Sequence, residues 1–469
     1  MKKYSFLLFT LLFVNLLQAQ LMNSNSYRNS NNPLYWQNRK PHAAYWQQDV
    51  HYNIAARIDE EAKKIDAIED LEYFNNSPDT LRFVYFHLYQ NAFINKSYLR
   101  ALEKANYAQP PLGPNERVGK GIEINAISVD GANVNVELDN TILKVYLPKP
   151  LLPNEKVNLS LMFTTYYDRT ATRRRMQMYN AWGFTHFNGV QWYPKISVYD
   201  AKFGWDTYQH LNKEFYGDFG SFDVQLDFPS NYIVEATGVL QNKNEVLPDS
   251  LLQKIDVKNF AKAKPNDTPS IIIPYEKGKR KIWKFHADNV HDFAFTADPS
   301  YRMSIVDWEG IKCVGLVQEP HAATWQNSAS FVAKIIQTFS RDFGRYQYPK
   351  MVAADANDGM EYPMLTLDGG GDPDYRGLLI HEIAHNWFYG MVGNNETYRA
   401  SLDEGFTQYL TAWGMQKIDG DTILESKPTN FIKKIAYQYK APFDTRVLNV
   451  YTHDALTHDD ATLNTHSDD

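Results

Sequence analysis

Up to about residue 303 the chain alternates apolar and polar positions in short runs. Val134, Val136 and Leu138 alternate with polar neighbours, Asp139-Asn140 supplies a turn, and Leu143, Val145 and Leu147 resume the alternation. Val157, Leu159, Leu161 and Phe163 repeat it, as do Phe222, Val224, Leu226 and Phe228. A period of two buries one face of each strand and wets the other, as in antiparallel sheets. Proline-rich breaks at residues 148–153 and 265–274 separate groups of strands, the second reading as a surface insertion. Past Glu319 the period changes: Phe331, Val332, Ile335, Ile336 and Phe339 follow a helical spacing. Residues 351–354 read as a short strand, followed by the turn-prone ANDGMEYP. Two further helices are expected. One starts at Asp372-Pro373, an N-cap followed by proline, and runs to about Met391; the other runs from about Ala400 to Lys417.

Ahead of the strands, the first 20 residues hold two lysines, an apolar run from Phe6 to Leu17 and then Ala19. This reads as a signal peptide over residues 1–19, followed by a polar, Asn-rich lead-in over residues 20–44. The apolar run is shorter than the ~20 residues that span a bilayer, and no later stretch approaches that length. An exported protein of a bacterial envelope, periplasmic or extracellular, with no integral membrane segment in the mature chain, is the expectation. The only cysteine is Cys313, so such a protein folds without an intramolecular disulfide. The balance of 48 Lys+Arg against 55 Asp+Glu, net −7, lacks the basic footprint of a nucleic-acid binder. An aromatic content of 14% favours β-rich packing over the first half.

The chemistry concentrates in the first of the two late helices. His381 and His385 stand at i and i+4, so both imidazoles can reach one zinc ion, and Glu382 lies beside them within reach of a water. A catalytic zinc takes three protein ligands. Glu404, on the second helix after the 18 residues from Asn386 to Asp403, supplies the third.

These residues resemble the gluzincin aminopeptidases, the family of aminopeptidase N, whose pattern is H-E-x-x-H, 18 residues, then Glu. HEIAHNWFYG and SLDEGFTQY look like the family's two helical segments, and Gly359, Met360, Glu361, Tyr362 and Pro363 resemble its G-x-M-E-N exopeptidase motif, with Tyr362 in place of Asn. YWQQDVHYNIAARI and SPDTLRFVYFHLYQNAF look like its amino-terminal β-domain. The resemblance implies an α+β multidomain fold: an antiparallel, β-rich, saddle-like domain over residues 45–304, then a thermolysin-like zinc metallopeptidase domain over residues 305–469 that is incomplete at its C-terminal end.

On that likeness His381, His385 and Glu404 hold Zn2+, and Glu382 takes a proton from the hydrolytic water and returns it to the departing amine. Glu361 pairs with the free α-ammonium of a peptide substrate, while Gly359 and Met360 line the edge that binds peptide backbone. Gln191, in FNGVQWYP, reads either as the family's β-domain glutamine that helps hold the ammonium or as a plain loop glutamine. Two features are weaker: the run Arg173 to Arg175 reads as a solvated face, and His453, His458 and His466 among aspartates mimic a metal tract but are gathered on no helical face. The family's catalytic tyrosine falls farther along than Tyr437, Tyr439 or Tyr451, so the chain is expected to stop short of it. The leading expectation is therefore an exported zinc aminopeptidase acting on peptides with a free N-terminus. A zinc endopeptidase and a non-catalytic peptide-binding scaffold on the same fold remain as alternatives.

Overall fold

A computed structural model describes residues 45–108, 110–168, 176–211, 213–398 and 400–419. Residues 1–19, read above as a signal peptide, residues 20–44, Arg173 to Arg175, and the late tyrosines and histidines lie outside these residues. The alternating runs form the strands they predict. Val157, Leu159, Leu161 and Phe163 are all buried on the strand Lys156–Tyr166, and Phe222, Val224, Leu226 and Phe228 are buried on Gly220–Pro229. Both belong to an eight-stranded sheet whose central strand Asp49–Asp59 pairs antiparallel with Lys64–Phe74 but parallel with Gly220–Pro229. The purely antiparallel expectation is corrected there, because a period of two gives the buried face but not the direction of the neighbour.

Two four-stranded sheets and a two-stranded ribbon, Tyr199–Asp200 with Gly204–Trp205, complete the described first part. In one four-stranded sheet, Val136–Asp139 is an edge strand paired with Ile142–Leu151. Its apolar positions do not face a core as their alternation suggests: Val136 is 41% and Leu138 57% exposed. With a partner on one side only, and no layer over that face among the described residues, the pattern has little to pack against. The described residues from Gln47 onward belong to one compact unit with a continuous aromatic-rich core, in which Trp192, Trp283 and Trp325 are fully buried.

A five-stranded mixed sheet begins at Tyr301, in the order Tyr301–Trp308, Ile311–Gln318, Lys350–Asp355, Leu365–Asp368, Met360–Tyr362. The helix Ser328–Phe343 packs on it through Phe331, Val332, Ile335, Ile336 and Phe339, the residues whose spacing predicts it. It starts later than the sequence suggests, because Glu319–Thr324 form a 3-10 turn first.

The motif helix, Arg376–His385, begins three residues after Pro373. The Asp372 carboxylate accepts from Arg376 Nε at 2.7 Å, and the helix has no side-chain cap at its N-cap position. Beyond His385 the helix widens into a π-helical turn, Asn386–Met391, in which Phe388 leaves helical geometry. The glutamate helix Glu404–Asp419 follows a 3-10 turn at Ala400–Leu402. It meets the motif helix closely at Gly414, where an added Cβ would lie 2.7 Å from Ile380 Cγ2 and 2.9 Å from Phe339 Cζ. That close approach brings the histidines and Glu404 within reach of one another. No helix among the described residues is long and apolar enough to cross a membrane.

Candidate metal centre and active site

From Leu379 to His385 the motif helix is buried except at His381, as expected of a helix apolar on nearly every side. His381 and His385 therefore emerge on one face, toward the glutamate helix. The Nε2 atoms of the two rings are 3.2 Å apart, and Glu404 Oε2 lies 3.3 Å from His381 Nε2 and 3.7 Å from His385 Nε2. Glu404 Oε2 is buried without a hydrogen-bond partner among the described residues. Two imidazole nitrogens and one carboxylate oxygen within 4.8 Å of each other match the ligand types and number of a three-ligand zinc site, so these side chains fit the ion.

The other ring nitrogens are held from behind. His385 Nδ1 is 2.5 Å from Asp403 Oδ1, both side chains being fully buried, and Thr407 Oγ1 stands 3.2 Å from the same nitrogen. His381 Nδ1 lies 3.2 Å from Thr411 Oγ1, whose hydroxyl donates to the Thr407 carbonyl, so that the ring N–H donates to the oxygen. Each Nδ1–H is thereby engaged, leaving the Nε2 lone pairs for a metal. Burial, with the charge of His385 second, pushes His381 well below the usual histidine range and keeps it neutral as a ligand must be. Asp403, Thr407 and Thr411 were not singled out in the sequence. The signal existed, since an acid directly before Glu404 and threonines three and seven residues after it follow one helical face. Asp403→Ala is expected to weaken zinc affinity by ~10–100-fold, read by chelator competition, while an unchanged affinity would make Asp403 dispensable to the metal.

Carboxylates crowd the remaining wall. Glu361 lies on the edge strand Met360–Tyr362, 3% exposed, with Oε1 unpartnered among the described residues. Its carboxylate falls within 4.8 Å of ligand atoms of Glu382 and His385, and likewise of Asp403 and Glu404. Burial raises Glu361 to about 8, His385 opposing and the charges of Glu214 and Asp403 adding to the rise. Burial, followed by Asp403, Glu361 and Glu214, likewise raises Glu396 well above the carboxylate range. A cation or ammonium bound among these carboxyls would favour their ionised forms and offset the burial that opposes them. Glu214 and Glu396 had no recognisable sequence signal, because they come from loops far apart in the chain.

Gly359 leaves room for Glu382: an added Cβ would lie 3.3 Å from Glu382 Oε1 and 3.2 Å from Leu378 Cδ1. Met360 pairs with Leu367 and is buried in the core, its side chain alternating away from that of Glu361. Gln191 is 2% exposed, accepting from the Tyr362 hydroxyl at 2.9 Å and donating to Asp292 Oδ2 at 3.5 Å. Its position in the network is therefore behind the edge strand, in contact with Tyr362.

No family model matches the chain. Among solved structures, an M1 zinc metallopeptidase from Deinococcus radiodurans superposes with a TM-score of 0.54 at 14% identity, covering 85% of this chain and 75% of that one. A mutant of that peptidase bound to a Tyr-Ser-Ala substrate gives 0.53 at 15% identity, covering 88% and 84%. Aminopeptidase B from Rattus norvegicus and from Homo sapiens is 38% identical over 71 residues, 14% of this chain and 11% of those relatives' own length. A two-histidine, one-glutamate centre at the join of a mixed sheet and two packed helices, preceded by β-rich sheets, gives this chain the fold of the M1 zinc metallopeptidases.

Proposed function

We propose that the chain is an exported zinc aminopeptidase that removes residues from the free N-terminus of peptides. The observation that carries this reading is Glu361, whose carboxylate stands beside the candidate zinc ligands on a sheet edge with one buried oxygen unpartnered. A substrate ammonium would complete it with a charge-assisted hydrogen bond, and the peptide backbone would add to the edge as a further strand. The first peptide bond then falls beside His381, His385 and Glu404, which would hold the zinc. When bound, zinc supplies Lewis-acid polarisation and a water of lowered pKa. Glu382 accepts the proton of the hydrolytic water and delivers it to the departing amine. Division of labour between a β-rich domain over residues 45–304 and a catalytic domain from residue 305 is part of the same reading, as is export to a bacterial envelope, which rests on residues 1–19. An endopeptidase has no use for a buried carboxylate at this edge, and a scaffold has none for a converging ligand set.

The test is Glu361→Ala. The charge-assisted bond is worth ~1.5–3 kcal/mol, so kcat/KM for free-amine peptides is expected to fall about tenfold to a hundredfold. N-acetylated versions of the same peptides are expected to be poor substrates before and after the change. Equal cleavage of acetylated and free peptides by the parent, or cuts in their interior, would replace this reading with the endopeptidase.

A further inference from the structure

The segment that carries Glu361 is held at three points by a single stretch of the preceding sheets. Asn188 Nδ2 donates to the Ala356 carbonyl at 3.0 Å, Gln177 Nε2 donates to Asp358 Oδ2 at 3.1 Å, and the Tyr362 hydroxyl donates to Gln191 Oε1 at 2.9 Å. The first two contacts fix the approach to the edge strand and the third fixes its end. Tyr362 is fully buried and, one position on from Glu361, leaves the strand on the opposite face. Behind Gln191 the network continues. Asp292 accepts from Gln191 Nε2, from the Tyr193 hydroxyl at 2.9 Å and from Lys195 Nζ at 3.0 Å, all with buried side chains. Gln191 itself sits at φ 44, in the left-handed region, a backbone cost that its packing must sustain. A lysine, a tyrosine and the glutamine thus converge on the Asp292 carboxylate, and the glutamine in turn accepts from the Tyr362 hydroxyl, whose strand carries the carboxylate of the site.

We propose that Gln191 and Tyr362 are positioning residues for amine recognition, their hydrogen bond holding the edge strand from behind so that Glu361 presents its unpartnered oxygen to the substrate ammonium. This rests on the aminopeptidase reading. Glu361 is the group that touches the ammonium, and Gln191 acts on it through Tyr362. Removing the bond leaves the ring of Tyr362 in the core and the carboxylate in place, but frees the strand to shift by the fraction of an ångström that a charge-assisted bond resolves.

Binding of the tripeptide Tyr-Ser-Ala and of its N-acetylated form tests this by calorimetry, without turnover, in a zinc-loaded Glu382→Gln background. The free amine is expected to bind at least about tenfold tighter than the acetylated peptide. Adding Tyr362→Phe, and separately Gln191→Met, is expected to bring that ratio below about threefold, while the affinity for the acetylated peptide and the zinc content stay as in the parent. A ratio that survives both changes but collapses in Glu361→Ala overturns the proposal and leaves the aminopeptidase reading standing. A parent with no preference for the free amine sinks that reading and the proposal together. Equal weakening of both peptides, or loss of zinc or of the folded state, would mark the pair as merely structural and overturns the proposal as well.

Discussion

Glu382→Gln is expected to retain its zinc and lose ~10²–10⁴-fold in kcat, the range that a positioned general base contributes. The glutamate is 4% exposed, with its carboxylate within 4.8 Å of ligand atoms of His385 and Glu361. The amide is nearly isosteric, so it keeps the space opposite Gly359, but it cannot take up a proton. Because the amide fills the same space, the melting temperature should hold. Metal content by mass spectrometry and the thermal midpoint separate loss of chemistry from loss of structure. Near-normal turnover would show that another group is the base.

Glu404→Ala is expected to empty the metal centre. The parent should carry about one zinc per chain after dialysis, and the variant should lose most of it. Glu404 supplies the only carboxylate oxygen among the three converging donors, at 3.3 and 3.7 Å from the two imidazoles, and its Oε2 has no other partner. Losing a ligand itself should weaken binding beyond the ~10–100-fold that outer hydrogen-bond partners are worth. Burial holds Glu404 well above the carboxylate range, with His385 opposing and the charges of Asp403, Glu361 and Glu214 adding to it. In the metal-free protein the alanine therefore removes a frustrated group, and a folded, zinc-poor variant is the anticipated product. Stoichiometric zinc in that variant would overturn the ligand assignment.

Much of this was legible from spacing alone. Two histidines four apart on a helix must share a face, whatever surrounds them, because 3.6 residues make a turn. The alternation of Val157 to Phe163 and of Phe222 to Phe228 likewise fixed which side chains go inward, since period two leaves no other choice. Local pattern stops at the partner. It did not reveal that Asp49–Asp59 runs parallel to Gly220–Pro229, that Val136 and Leu138 lie on an uncovered edge, or that the helix after Pro373 starts late. The reach from His385 to Asp403 depends on the angle between two helices, which Gly414 permits by close approach. Glu214, Glu396 and the chain from Lys195 through Asp292 and Gln191 to Tyr362 join loops and strands about a hundred residues or more apart. The histidine pair and its neighbouring base were therefore set by the local helical repeat, whereas the convergence of Glu404 on them needed the packing of a second helix. The electrostatic wall around them, and the hold on the strand that carries Glu361, came only with the tertiary structure, because burial and charge proximity do not exist until distant segments pack.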